Sequence, residues 1–227
     1  MRKFLIFLIL NIFLFCQDDK PKFNTELTEN FTPIEGVLPY FNKEVMDPFW
    51  SKDGKLPESL RRLTGFTLLT DSGEAITDDK IIGKDKLLVF FYAKCKGICP
   101  MITRNMIDFL PKIKDKSNLL VISISVNPEE DTVEALKKYK AQYRITDNQW
   151  VFLTGAKDTI YELARKQFNA DVQVVQGTQN LNDFVHTEHI YLIDKNNYLR
   201  GFYRAKGTGD LERLLIELET LQKEEKK

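Results

Sequence analysis

Leu87–Tyr92 is an unbroken apolar run, LLVFFY, with no polar alternation. That pattern belongs to a central strand covered on both faces, and it constrains the fold more than any other feature of the chain. A second run, LLVISISV at Leu119–Val126, reads as its neighbour in the sheet. Between them Met101, Asn105, Met106 and Phe109 recur at helical spacing, disturbed by Pro111.

The rest of the body repeats this alternation. Phe66–Leu69 and Glu74–Ile76 flank Asp71-Ser72-Gly73 and read as a hairpin. Asn127–Thr132 is a turn into an acidic helix start, and Val133, Leu136, Tyr139 and Tyr143 mark that helix's buried side. Trp150–Leu153 is a third short strand, and Ile160, Leu163, Ala164 and Phe168 outline another helix. Val172–Val175 suggests a small hairpin or excursion, and Ile190–Ile193 and Tyr198–Tyr203 form a hairpin around Asp194–Asn197. Leu211, Leu214, Leu215, Leu218 and Leu221 close the chain with an amphipathic helix. The expected fold is α/β: a mixed sheet with helices on both faces and an N-terminal β-hairpin extension.

Formal net charge is zero, with 33 basic and 33 acidic residues, and no basic domain or basic–aromatic stripe points to nucleic acid. The start of the chain differs from the rest. Met1-Arg2-Lys3 precedes an apolar run from Phe4 to Phe15, a signal-like pattern. The run makes only ~18 Å of helix against a hydrocarbon core of ~30 Å. Cys16 then gives way to Gln17-Asp18-Asp19-Lys20, which resembles the lipobox of bacterial lipoproteins, although Phe15 stands where that pattern has a small residue. Such a start implies a lipidated Cys16 as membrane anchor, with simple cleavage or an uncleaved anchor as the alternative, and in either case an extracytoplasmic body on the periplasmic side. The expected division is residues 1–16 as signal, 17–58 as tether and extended N-terminal segment, 59–223 as the folded domain, and 224–227 as a charged, fraying tail.

Cys95 and Cys99 follow the first central strand, and Pro100 suits the first turn of the next helix. Strand ends beside helix N-termini are where α/β sheets bind ligands. The helix dipole, Lys94 and Lys96 are expected to lower the thiol pKa. A structural disulfide or a pair of inert buried cysteines is the plainer alternative. Three residues separate the cysteines, against two in the thioredoxin-type redox motif. The wider loop lets both sulfurs hold one ion: two thiolates suit Cu(I), and an added imidazole suits Cu(II) or zinc. The chain has two histidines, His186 and His189, both just before the strand Ile190–Ile193.

FFYAKCKGICPMITRNM resembles the Cys-x-x-x-Cys-Pro segment of the Sco/SenC family, copper-handling proteins of cytochrome oxidase assembly. SISVNPEEDTVEALKKY, WVFLTG and VHTEHIYLIDKNNYLRGFY fit the family in the same order, so the resemblance covers roughly Gly65 to Leu221. It implies a thioredoxin-like fold, copper rather than zinc, and Cys95, Cys99 and His186 as ligands, His186 lying five residues before Tyr191. His189 is the alternative third ligand. Lys96 and Gly97 replace the proline and aspartate usual inside the family's loop, which bears on partner recognition and redox tuning. Asp131 reads only as helix-start chemistry. Thr187-Glu188-His189 lacks the proline that thioredoxin-like reductases place before the facing strand.

The implied function is a metallochaperone that delivers copper to the copper-bearing (CuA-type) subunit of a respiratory oxidase, with other copper donors or thiol reductants as further partners. A thiol–disulfide oxidoreductase using Cys95 and Cys99 as a redox pair is the enzymatic alternative, and a redox-sensing binding module the third.

Overall fold

The computed structural model describes residues 31–170 and 188–226, with the backbone of 173–174 and 184–185. Cys16, His186 and the signal-like start lie outside the described residues.

The body is a mixed sheet of seven strands. Its centre is β5 (Asp85–Phe91), β6 (Leu119–Ser125) and β7 (Trp150–Thr154), paired in parallel. Every residue of β5 and β6 is buried, as the apolar runs require. The two serines that interrupt β6 are satisfied internally. Trp150 Nε1 donates to Ser123 Oγ at 2.9 Å, and Ser125 Oγ donates to an Asp131 carboxylate oxygen at 2.5 Å.

The sheet's edges are antiparallel hairpins. On one side lie β3 (Thr67–Thr70) and β4 (Ala75–Thr77), with Gly73 at φ +86° supplying the left-handed turn residue. On the other lie β10 (His189–Ile193) and β11 (Leu199–Arg204). The pairing of Ile190 with Val89 puts the start of β10 beside the end of β5.

One face is covered by α1 (Cys99–Phe109), α2 (Val133–Gln142) and α4 (Thr208–Glu224). Tyr139 of α2 packs on Phe91 and Phe152, with ring centroids 5.2 and 5.7 Å apart. The opposite face receives α3 (Lys157–Tyr161), which widens into a π turn at Glu162–Gln167. Phe168 beyond it packs 6.0 Å from Phe90 and 5.1 Å from Tyr191. A two-residue pair, β8 (Gln173–Val174) with β9 (Phe184–Val185), realises the small excursion expected near Val172–Val175.

The helix expected after Pro100 is α1, which buries Cys99, Ile102, Thr103, Met106 and Phe109 and leaves Met101 exposed. One expectation needs correction. The chain's end does not fray at residue 224. Glu224 closes α4 and accepts from the buried Arg200 guanidinium at 2.8 Å, and Glu225 accepts from Lys195 N at 3.4 Å. A buried cation holds the acidic end in place, whereas composition alone suggested a solvated tail.

The segment before the domain is packed where it is described. Leu38 and Phe41 are buried, and β1 (Tyr40–Phe41) pairs with β2 (Pro48–Phe49). Arg61 Nε donates to Asn42 O at 2.8 Å and its Nη1 to Gln167 O at 2.6 Å, stapling this segment to the π turn.

Candidate metal and redox site

β5 runs out at Phe91, and Tyr92 to Ile98 turns the chain into α1. No side chain caps the helix, and Pro100 in its first turn removes one of the N–H groups a cap would satisfy. Cys95 N donates to Tyr92 O at 3.3 Å, which curls the loop back on the strand end. Cys95 and Cys99 are both reduced and both buried, 7% and 1% exposed. Their side chains are hydrogen-bonded to each other. A thiol pair in contact at a strand end can close to a disulfide or share one soft ion without large movement.

The electrostatics differ from the expectation. The Cys99 thiol is held far above the ordinary thiol range, first by its hydrogen bond with Cys95 and then by burial. Lys94 does not offset this. Its ammonium lies 2.7 Å from Glu130, with the side chain 62% exposed, and Lys96 is also exposed. Charges in water are screened from a buried thiol, so sequence adjacency did not become pKa control. Cys99 therefore rests protonated, and a thiophilic ion must displace that proton to bind.

Asp131 is a site residue that the sequence reading left without a role. The helix start it was assigned to belongs to Thr132, whose Oγ1 accepts from Ala135 N at 3.3 Å. Asp131 is 1% exposed and points at the cysteine loop. Its Oδ2 accepts from Ala93 N at 2.8 Å as well as from Ser125 Oγ. Burial raises its pKa. Nearby in the core, Thr103 Oγ1 and the Tyr139 hydroxyl lie 2.7 Å apart.

His189 opens β10 on the face away from α1. Its ring packs edge-on against Tyr191 and Phe202, at 6.0 and 5.8 Å between centroids. Burial lowers its pKa, which favours neutral imidazole. Among the described residues no group of three or more histidine, cysteine, aspartate or glutamate side chains is arranged to hold a metal ion. Cys95 and Cys99 are brought together, His189 does not complete a triad with them, and His186 is outside the described residues. Gly97 is exposed, and a Cβ there would meet Cys95 Sγ at an ordinary 3.8 Å.

The sequence profile of the SCO1/SenC family matches residues 56–221. The chain belongs to the SCO1/SenC family. The SCO1 protein homolog of Bacillus subtilis is 33% identical over 130 residues, covering 56% of this chain and 66% of the relative's length. Among solved structures, BsSco, a member of the Sco family of cytochrome c oxidase assembly proteins in which a disulfide switch has been identified, is 28% identical. Its TM-score is 0.62 over 71% of this chain and 93% of that one. Bradyrhizobium japonicum ScoI with copper bound is 26% identical, with a TM-score of 0.56 over 70% of this chain and 99% of that one. The Sco likeness carries the thioredoxin-like fold, and the seven-stranded mixed sheet described above matches it.

Proposed function

We propose that this chain binds copper through Cys95 and Cys99, with His186 as third ligand, and passes it to the copper-bearing subunit of a respiratory oxidase outside the cytoplasm. The observation that carries this reading is the buried, mutually hydrogen-bonded thiol pair at the junction of β5 and α1. The solved ScoI with copper bound supports copper as the ion. Two sulfurs and one neutral imidazole form a soft donor set that accepts both copper oxidation states. Copper is cargo here, released by ligand exchange with acceptor thiolates. The signal-like start and Cys16 would anchor the protein as a lipoprotein.

The test is a Cu(II) titration of the reduced protein followed by visible absorption and electron paramagnetic resonance, with His186→Ala and His189→Ala alongside. A thiolate-to-copper band lost in His186→Ala and kept in His189→Ala is the expected result. A band unchanged in His186→Ala removes that residue from the ligand set.

The second reading is a thiol–disulfide oxidoreductase that keeps an oxidase subunit's cysteines reduced. Contact between the two thiols favours it, because closing the disulfide requires little motion. His186→Ala separates the two: it spares thiol exchange and impairs copper binding.

A further inference from the structure

We propose that Asp131 is a positioning residue for the thiol pair: its buried carboxylate clamps the first residue of the cysteine loop and keeps Cys95 and Cys99 within reach of each other. It deepens the reading above and concerns the same loop, but it rests on hydrogen bonds that exist without copper.

The clamp is specific. Ala93 is the first residue past Tyr92, and its N–H has left the β5 ladder. Asp131 Oδ2 takes that donor at 2.8 Å. The same oxygen receives Ser125 Oγ at 2.5 Å, and Ser125 Oγ in turn accepts from Asn127 N at 3.1 Å. The end of β5 is separately tied to the same loop, because Val126 N donates to Phe91 O at 2.8 Å. Asp131 N donates to Asn127 O at 2.9 Å, so the carboxylate stands on a turn that is itself closed. The chain from strand β6 to the cysteine loop is therefore continuous and buried, with Ser125 and Asp131 at 0% and 1% exposure.

A carboxylate has no need to be there for helix α2, which Thr132 caps. An acid buried at that cost is retained for what it holds. What it holds is the loop whose other end is Cys99 in α1. Fixing one end of a loop raises the effective concentration of one thiol at the other. Disulfide closure and two-sulfur coordination benefit alike.

The test is the equilibrium of the metal-free protein with glutathione. The two thiols give two electrons and two protons to one glutathione disulfide, forming the Cys95–Cys99 bond and two glutathione thiols. Asp131→Ala is expected to lower the equilibrium constant for that closure about tenfold, the scale of one charge-assisted hydrogen bond. Asp131→Asn, whose amide oxygen still accepts Ala93 N–H, should stay within about threefold of the parent. A constant that Asp131→Ala leaves unchanged, or an Asp131→Asn loss as large as that of alanine, overturns the proposal. If Asp131→Ala does not fold, amide hydrogen exchange of the unsubstituted protein decides. Protection of Ala93 N–H comparable to the β5 amides supports the clamp, and free exchange overturns it. No copper enters either measurement, so failure of the copper reading leaves this test intact, and failure here leaves the copper ligands standing.

Discussion

The two ends of strand β5 treat charge in opposite ways. At its start, charge is buried among polar and ionic partners. Lys86 is wholly buried and donates to Asp194 O at 2.8 Å and to the Asn197 side chain. Arg200 lies against Asp194 Oδ2 at 3.2 Å and Glu224 Oε1 at 2.8 Å, with its guanidinium 4.0 Å above the Tyr40 ring. At its end, beside the thiols, cations are turned out to surface pairs such as Lys94–Glu130, and among the described residues Asp131 is the carboxylate kept inside, held by Ala93 and Ser125. The first end fastens the N-terminal segment and the close of α4 to the sheet. The second keeps its cations in water and buries a carboxylate beside two thiols. Perturbed titratable groups mark candidate sites in general. In this molecule the densest buried charge marks a structural lock.

If that division is real, the two ends should fail independently. Arg200→Ala strands Asp194 and Glu224, and should cost about 3–5 kcal/mol by urea unfolding. Copper affinity of the folded fraction should stay within about threefold, and a parallel loss of affinity would break the division.

At the thiol end the expected large effect is on binding. Because the Cys99 thiol is held high, copper must displace up to two protons. Affinity should therefore rise roughly ten- to hundredfold per pH unit between about pH 6 and 8. Competition titrations against a chelator of known proton dependence check this, and a flat profile would mean that the thiols are not the ligands.

Asp85 sharpens the picture of the lock. Its Oδ1 is buried without a hydrogen-bond partner, and burial first, with Glu225 next, raises its pKa from 3.8 to about 7. Between those values the folded state keeps a proton that the unfolded chain has released. Stability therefore falls as pH rises through that window and stays lower above it. Asp85→Asn should gain about 1–3 kcal/mol at pH 8, where folding holds an ionised buried carboxyl, and less near pH 4. Equal gains at both pH values would rule out the titration. The smallest effect belongs to Lys94→Ala, which breaks an exposed pair with Glu130. It should change stability by less than about 1 kcal/mol and copper affinity by less than about threefold.

The sheet and the thiol pair were legible because they rest on local patterns. LLVFFY declares a covered strand, and the cysteines with Pro100 declare the turn into α1. The lock was not legible, because its partners lie far apart in the chain. Lys86 meets Asp194 across 108 residues, and Arg200 meets Leu38 across 162. Nothing beside Lys86 or Arg200 distinguishes a buried cation from a solvated one. Asp131 was misread for a related reason: an acid before a helix is ordinary cap chemistry, and only the tertiary fold shows Thr132 taking the cap and Asp131 turning inward.

The most direct test of the central claim is copper K-edge X-ray absorption on the reduced, Cu(I)-loaded protein, with Cys95→Ser and Cys99→Ser beside it. Two sulfur scatterers in the parent, falling to one in each variant, are what the paired thiols predict. A first shell of nitrogen and oxygen alone in the parent would place the copper elsewhere and contradict the account.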